Sequence, residues 1–79
     1  MDKISHILKL VEYEVNRAFL KFDSFHSPHE GLAVIWEEFD ELKEKVWSNE
    51  GRSEDARDEA IQIAAMAVRY VFELIEDPR

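Results

Sequence analysis

The residues best placed to do chemistry in this chain form two short pairs. Glu38 and Glu41 stand three apart in Trp36-Glu37-Glu38-Phe39-Asp40-Glu41-Leu42, and Glu59 and Gln62 stand three apart in Asp58-Glu59-Ala60-Ile61-Gln62-Ile63. On a helix, residues three apart lie one turn apart on the same face. Two such pairs on packed helices would converge several oxygen ligands on one point, which is how helical bundles build sites for hard divalent cations. A converged set suits a Mg²⁺-dependent enzyme acting on a polyphosphate. The competing reading is a solvated acidic face. Glu is a good helix former, and 18 acidic residues in a small helical chain produce such pairs by chance.

Three helical segments would have to position these residues. The first spans about 2–22, where Ile4, Ile7, Leu8, Val11, Val15, Ala18, Phe19 and Phe22 follow the 3.6-residue period, with Asp2 as candidate N-cap. The second spans about 28–48. Ser27-Pro28-His29-Glu30 has the order of a capping box with Pro at the first helical position, and Leu32, Ile35, Phe39, Leu42 and Val46 form one apolar stripe. Gly51 in the following break suits a left-handed position. The third helix spans about 54–75, capped by Ser53 and unable to continue through Pro78.

The third helix carries two apolar stripes. One is Ala56, Ala60, Ile63, Ala67, Tyr70, Val71 and Leu74; the other is Ile61, Ala64, Val68, Phe72 and Ile75. Together they exceed the arc of roughly 100° that one-sided packing needs. The expectation is an all-α, three-helix antiparallel protomer that completes a larger bundle by self-association, as a dimer or tetramer. On helical wheels Glu38 and Glu59 lie at the edges of the core stripes, so the acidic pairs can meet across a cleft between the second and third helices.

Composition narrows the classes further. A chain of 79 residues is one domain at most, and its hydrophobic fraction of 46% is ample for a core. With no cysteine, disulfides and thiolate metal sites are excluded. No apolar run approaches the roughly 18 residues of a membrane span, and the N-terminus does not read as a signal peptide, so a cytoplasmic protein is expected. A net charge of -8 argues against a nucleic-acid duplex or an anionic membrane as partner. It leaves a nucleotide open, because bound Mg²⁺ reverses the local field of an acidic cleft.

The segments Glu37-Glu38-Phe39-Asp40-Glu41-Leu42 and Asp58-Glu59-Ala60-Ile61-Gln62-Ile63 resemble the signature of the all-α nucleoside triphosphate pyrophosphohydrolases, the MazG-like and dCTP-pyrophosphatase-like group. That signature is Glu-x-x-Glu, a spacer, then Glu-x-x-Asp on two antiparallel helices; the spacer here is 17 residues, 42–58. The resemblance covers the second and third helices. It implies that Glu38, Glu41 and Glu59 coordinate Mg²⁺, or Mn²⁺ in its place, with Glu38 or Glu41 as the base that activates water. The implied reaction releases pyrophosphate from a nucleotide, most simply a deoxynucleotide. Gln62 departs from the pattern: it stands where an Asp is expected, and its amide oxygen can ligate Mg²⁺ without bringing charge.

Four further residues are candidate substrate contacts. His29 could meet phosphate or base, or be a solvated first-turn residue. Trp47 resembles an aromatic that stacks on a base in the dCTP-pyrophosphatase-like enzymes, or caps the bundle end. Lys45 shares the flank of Glu38 and Glu41, and Arg69 that of Gln62; either could bind a phosphate or neutralise neighbouring acids. Trp36 reads as core or interface. The alternative to an enzyme is a non-catalytic helical interaction module that keeps the same scaffold. The missing acid at position 62 and the lack of obvious triphosphate-binding basic residues favour that alternative.

Overall fold

A computed structural model describes residues 2–77. Three α-helices follow one another, α1 (Asp2–Lys21), α2 (Pro28–Trp47) and α3 (Glu54–Val71), and α3 runs directly into a π-helical turn, Phe72–Glu76. The described residues contain no strand, and none of their helices is long and apolar enough to cross a membrane. Glu14 meets Gln62 and Phe19 meets Phe72, so α1 and α3 run in the same direction. Gly31 lies against Tyr70 and Leu74 while Lys45 meets Asp55, so α2 runs antiparallel to α3.

The helix starts follow from capping chemistry. Ser27 Oγ accepts the Glu30 N–H at 3.1 Å, and Pro28 fills the first helical position, where a missing N–H does no harm. The Glu30 carboxylate does not close the box on Ser27; it accepts the His26 N–H at 2.8 Å, one residue earlier. Ser53 Oγ accepts the Ala56 N–H and so caps α3. Two expectations shift. Asp2 is helical rather than the flanking cap residue, and the left-handed residue between α2 and α3 is Asn49 (φ 60°), not Gly51. Asn tolerates that region because its short polar side chain bonds locally. Pro78, expected to end the third helix, lies outside the described residues.

α3 is the central element. It packs on both α1 and α2, which hardly touch each other. The buried core is Val11, Val15 and Ala18 of α1, Phe25 of the first loop, and Ala65 and Met66 of α3. Val34, Ile35, Ile61, Ala64, Tyr70 and Leu74 pack around it, half-buried. Gly31 permits the close approach of α2 to α3: a Cβ there would stand 2.7 Å from the Tyr70 ring.

Two apolar expectations are rearranged by this order. Leu32, Phe39 and Val46 of α2 are exposed, because α2 is rotated to present Gly31, Val34, Ile35 and Glu38 toward its neighbours. Both flanks of α3 are partly covered within one protomer. Its two-sided apolar character therefore does not by itself require a partner, although Val68, Val71, Phe72 and Ile75 remain exposed.

The interior also holds a charge pair that the apolar stripes did not signal. Arg69 and Glu73 are both buried. Arg69 donates from Nε to Glu73 Oε2 at 2.7 Å and from Nη2 to Glu73 Oε1 at 3.2 Å, and Nη2 also donates to the Asp23 carbonyl at 3.0 Å. Glu73 Oε1 accepts the Phe25 N–H at 2.7 Å, and the Phe25 ring lies 4.3 Å from the guanidinium carbon. The pair thus fastens the α1–α2 loop to the end of α3. Removing one member of such a pair leaves an uncompensated buried charge, at a cost of about 3–5 kcal/mol. A chain of this length has a total stability of only about 4–12 kcal/mol. Glu73→Gln should therefore lower the urea-unfolding free energy by about 3 kcal/mol; a loss below about 1 kcal/mol would show that the pair is not the fastening described.

Candidate functional site

Glu38 and Glu41 come from the middle of α2 and Glu59 from the second turn of α3. One carboxylate oxygen from each lies within 4.8 Å of the other two. Glu38 and Glu59 are half-buried and Glu41 is exposed. The Glu59 Oε2 atom is buried and has no hydrogen-bond partner among the described residues. That orphaned oxygen has a direct electrostatic consequence. Burial, together with the Glu41 and Glu38 carboxyls beside it, pushes the Glu59 carboxyl up to about 7. Glu38 is also raised, chiefly by burial and then by Glu41 and Glu37, while its contact with Glu59 works the other way. As an ionised carboxylate Glu59 has no donor to accept from; carrying a proton, it becomes the donor to its neighbours.

The donor set fits a hard cation in kind, since all three groups are carboxylates. It is slightly open in size. Two oxygens bound directly to one Mg²⁺ are at most about 4.2 Å apart, twice the usual bond length, and about 5 Å apart on Ca²⁺. A small side-chain closure would bring the set to Mg²⁺ dimensions, driven by attraction to the cation, which outweighs the repulsion between the carboxylates.

Gln62, the fourth residue of the expected ligand set, has its amide nitrogen engaged elsewhere. Its Nε2 donates to Glu14 Oε2 of α1 at 2.7 Å. An aspartate at 62 would face Glu14 with a like charge; glutamine turns the same contact into a hydrogen bond. Glu14 also accepts from Arg17 Nη1, at 3.2 and 3.3 Å.

A cleft of about 560 Å³ opens between α1 and α2, bordered also by the α1–α2 loop and α3. Glu14, Arg17 and Lys21 line it from α1, Glu37 and Glu38 from α2, and Gln62, Met66 and Arg69 from α3. Glu38 thus belongs both to the acidic cluster and to the cleft, whereas Glu41 is on neither the cleft wall nor a buried face.

The four candidate substrate contacts fall in different places. His29 is exposed beside Leu32, Ile35 and Tyr70, in a groove separate from the cleft. Lys45 pairs with Asp55 at 3.6 Å. Trp47 is exposed at the last turn of α2, and Trp36 is exposed too, so it is not core. Arg69 reaches the cleft wall, but its guanidinium is engaged by Glu73 and Asp23. Sequence reasoning missed Glu14, Arg17 and Lys21. Their only signal was a place on the flank of the first apolar stripe, and nothing in the sequence said which flank would face a cleft.

No protein family, curated protein or solved structure matched the chain in comparisons with known proteins.

The acidic cluster makes stability depend on pH. A carboxyl whose folded value is raised from 4.5 to about 7 keeps its proton where the unfolded chain has lost it. Its contribution is whole below pH 4.5 and is lost as pH rises to about 7. The melting temperature of the metal-free protein should therefore fall more between about pH 5 and pH 8 than that of Glu59→Gln, which cannot ionise. Parallel pH profiles for the two proteins would show that the cluster is not strained.

Proposed function

We propose that this protein is a Mg²⁺-dependent nucleoside triphosphate pyrophosphohydrolase, releasing pyrophosphate from a (deoxy)nucleotide. The observation that carries the reading is the meeting of Glu38, Glu41 and Glu59, from two helices, with an unpartnered Glu59 oxygen among them. The resemblance of the two acidic segments to the MazG-like signature supports the same reading. In it, Glu38, Glu41 and Glu59 hold Mg²⁺, or Mn²⁺ in its place, with the Gln62 amide beside them. The ion would neutralise phosphate charge and lower the pKa of water. Glu38 faces the cleft, where a carboxylate oxygen can orient a water and accept its proton. It is the better placed base; Glu41 completes the ligand set from the exposed side.

Mg²⁺ should raise the melting temperature of the unmodified protein in a concentration-dependent way, because a ligand that binds only the folded state stabilises it. Glu38→Gln should lose both that response and Mg²⁺-dependent pyrophosphate release, while its metal-free form melts no lower than the parent. Unchanged turnover in Glu38→Gln would reject the catalytic assignment, and indifference of both proteins to Mg²⁺ would reject the metal site.

The second reading, a non-catalytic helical module, is favoured by one observation: position 62 brings an amide whose nitrogen is given to Glu14, so the cluster has three carboxylates rather than four.

Self-association belongs to both readings. Among the described residues not one large side chain is fully buried, while Leu8, Leu20, Trp36, Trp47 and Ile75 are all at least 60% exposed. A domain this small with so thin a core gains most from burying apolar surface against a second copy. Sedimentation equilibrium at micromolar concentration should give a dimer or tetramer; a lone 9.3 kDa species would overturn this assembly.

A further inference from the structure

The cleft beside the acidic cluster has walls of different character. The α2 wall carries Glu30, Glu37 and Glu38, and the α1 wall carries Arg17 and Lys21 beside Glu14, the two cations being four residues apart and so one turn apart on one face. The other two candidate cations, Lys45 and Arg69, are engaged by Asp55 and by Glu73 with the Asp23 carbonyl. Arg17 is differently placed. Only its Nη1 is engaged among the described residues, by Glu14, so Nε and Nη2 keep their donors. Its side chain is about half exposed. Lys21 has no carboxylate partner among the described residues; its Nζ lies 5.5 Å over the Phe22 ring. Gln62 holds Glu14 at 2.7 Å, and Glu14 in turn holds Arg17, so the guanidinium is aimed from the opposite wall through a fixed chain of contacts.

We propose that Arg17 and Lys21 form the phosphate-binding wall of this cleft and take a linear polyphosphate, either as the free anion or as the tail of a nucleotide. The inference rests on the metal reading above for the far end of the ligand, because the cleft is acidic on balance and a bare polyanion would be repelled by Glu37 and Glu38. The cation held by the acidic cluster and the two α1 side chains then neutralise the ligand from opposite walls. A planar guanidinium fits two phosphate oxygens at once, and an ammonium adds a compact point charge. Gln62 is a positioning residue in this arrangement: as an amide it donates to Glu14, which an acid at the same place could not do when ionised.

The test is calorimetric titration of inorganic tripolyphosphate and of deoxynucleoside triphosphates into the full chain, with and without Mg²⁺. Parallel proteins are Arg17→Gln and Lys21→Gln, and each is also melted against Mg²⁺ alone. Both substitutions lie on the exposed side of α1 and keep helix propensity. The expected result is binding in Mg²⁺ that weakens about tenfold in each variant, the effect of losing one charge-assisted contact, with the Mg²⁺ melting response unchanged. Tripolyphosphate and nucleotide weakening together identifies the phosphate chain as the part recognised. Nucleotide binding alone, weakened the same way, identifies the nucleotide tail. Variants that bind like the parent would overturn the inference and leave the metal reading standing. A parent that binds neither ligand would overturn it as well. If Mg²⁺ gave no melting response but anion binding still depended on Arg17 and Lys21, the phosphate wall would stand and the metal reading would fall.

Discussion

The buried Arg69–Glu73 pair is the constraint on which the remaining architecture depends. Helices α1 and α2 both rest on α3 and barely meet each other, so their mutual placement passes through α3 and the loop that joins them. The loop joining them is anchored by the buried Phe25 ring and directed by polar contacts: the Phe25 N–H on Glu73, the Asp23 carbonyl on Arg69, and the Phe25 ring on the guanidinium. A buried ion pair is seldom the most stabilising way to fill a core, since desolvation opposes the Coulombic gain. Its value lies in direction. Each of its hydrogen bonds has one geometry, and together they set where α1 ends and α2 begins. The cleft, with Arg69 on its wall, is the space left by that choice.

The acidic cluster is the opposite kind of arrangement. Among the described residues no donor satisfies the buried Glu59 oxygen, and two other carboxyls stand beside it. Burial and like charge both push its proton affinity up. A surface chosen only for solubility would spread its acids apart, and most of the acids in this chain are indeed exposed. Three that gather against a helix interface oppose folding unless a proton or a cation joins them. Groups strained in this way are concentrated at functional sites, which is why the cluster outweighs the many other acidic pairs in the sequence.

Charge on the α1 wall completes the electrostatic pattern. Glu14 is half-buried; the Gln62 amide satisfies it without changing its charge, and Arg17 offsets that charge, which leaves Lys21 as the net cation of the α1 wall. The glutamine at 62 departs from the acid that the MazG-like signature has, yet it is not idle: it joins α3 to α1. That contact gives the position a physical reason without a metal in direct contact with it, and it places a chain of polar contacts across the floor of the cleft.

The sequence by itself determined the helices and their caps. Periodic apolar residues, Ser27 with Pro28 and Ser53 act within a few residues of each other, so local chemistry sufficed to place α1, α2 and α3. The meeting of Glu38, Glu41 and Glu59 was legible as well, because i, i+3 spacing fixes a face and a short connection makes α2 and α3 neighbours. Tertiary structure alone decided the rest. Which helix is central set the rotation of α2, and so exposed Leu32, Phe39 and Val46 while presenting Glu38. Pairing across 46 to 48 positions put Arg69 with Asp23, Glu73 with Phe25 and Gln62 with Glu14. Such contacts leave no local pattern: an arginine on an amphipathic helix reads the same whether it faces solvent or a buried glutamate, and only the packing of the neighbouring elements removes the water that would otherwise claim it.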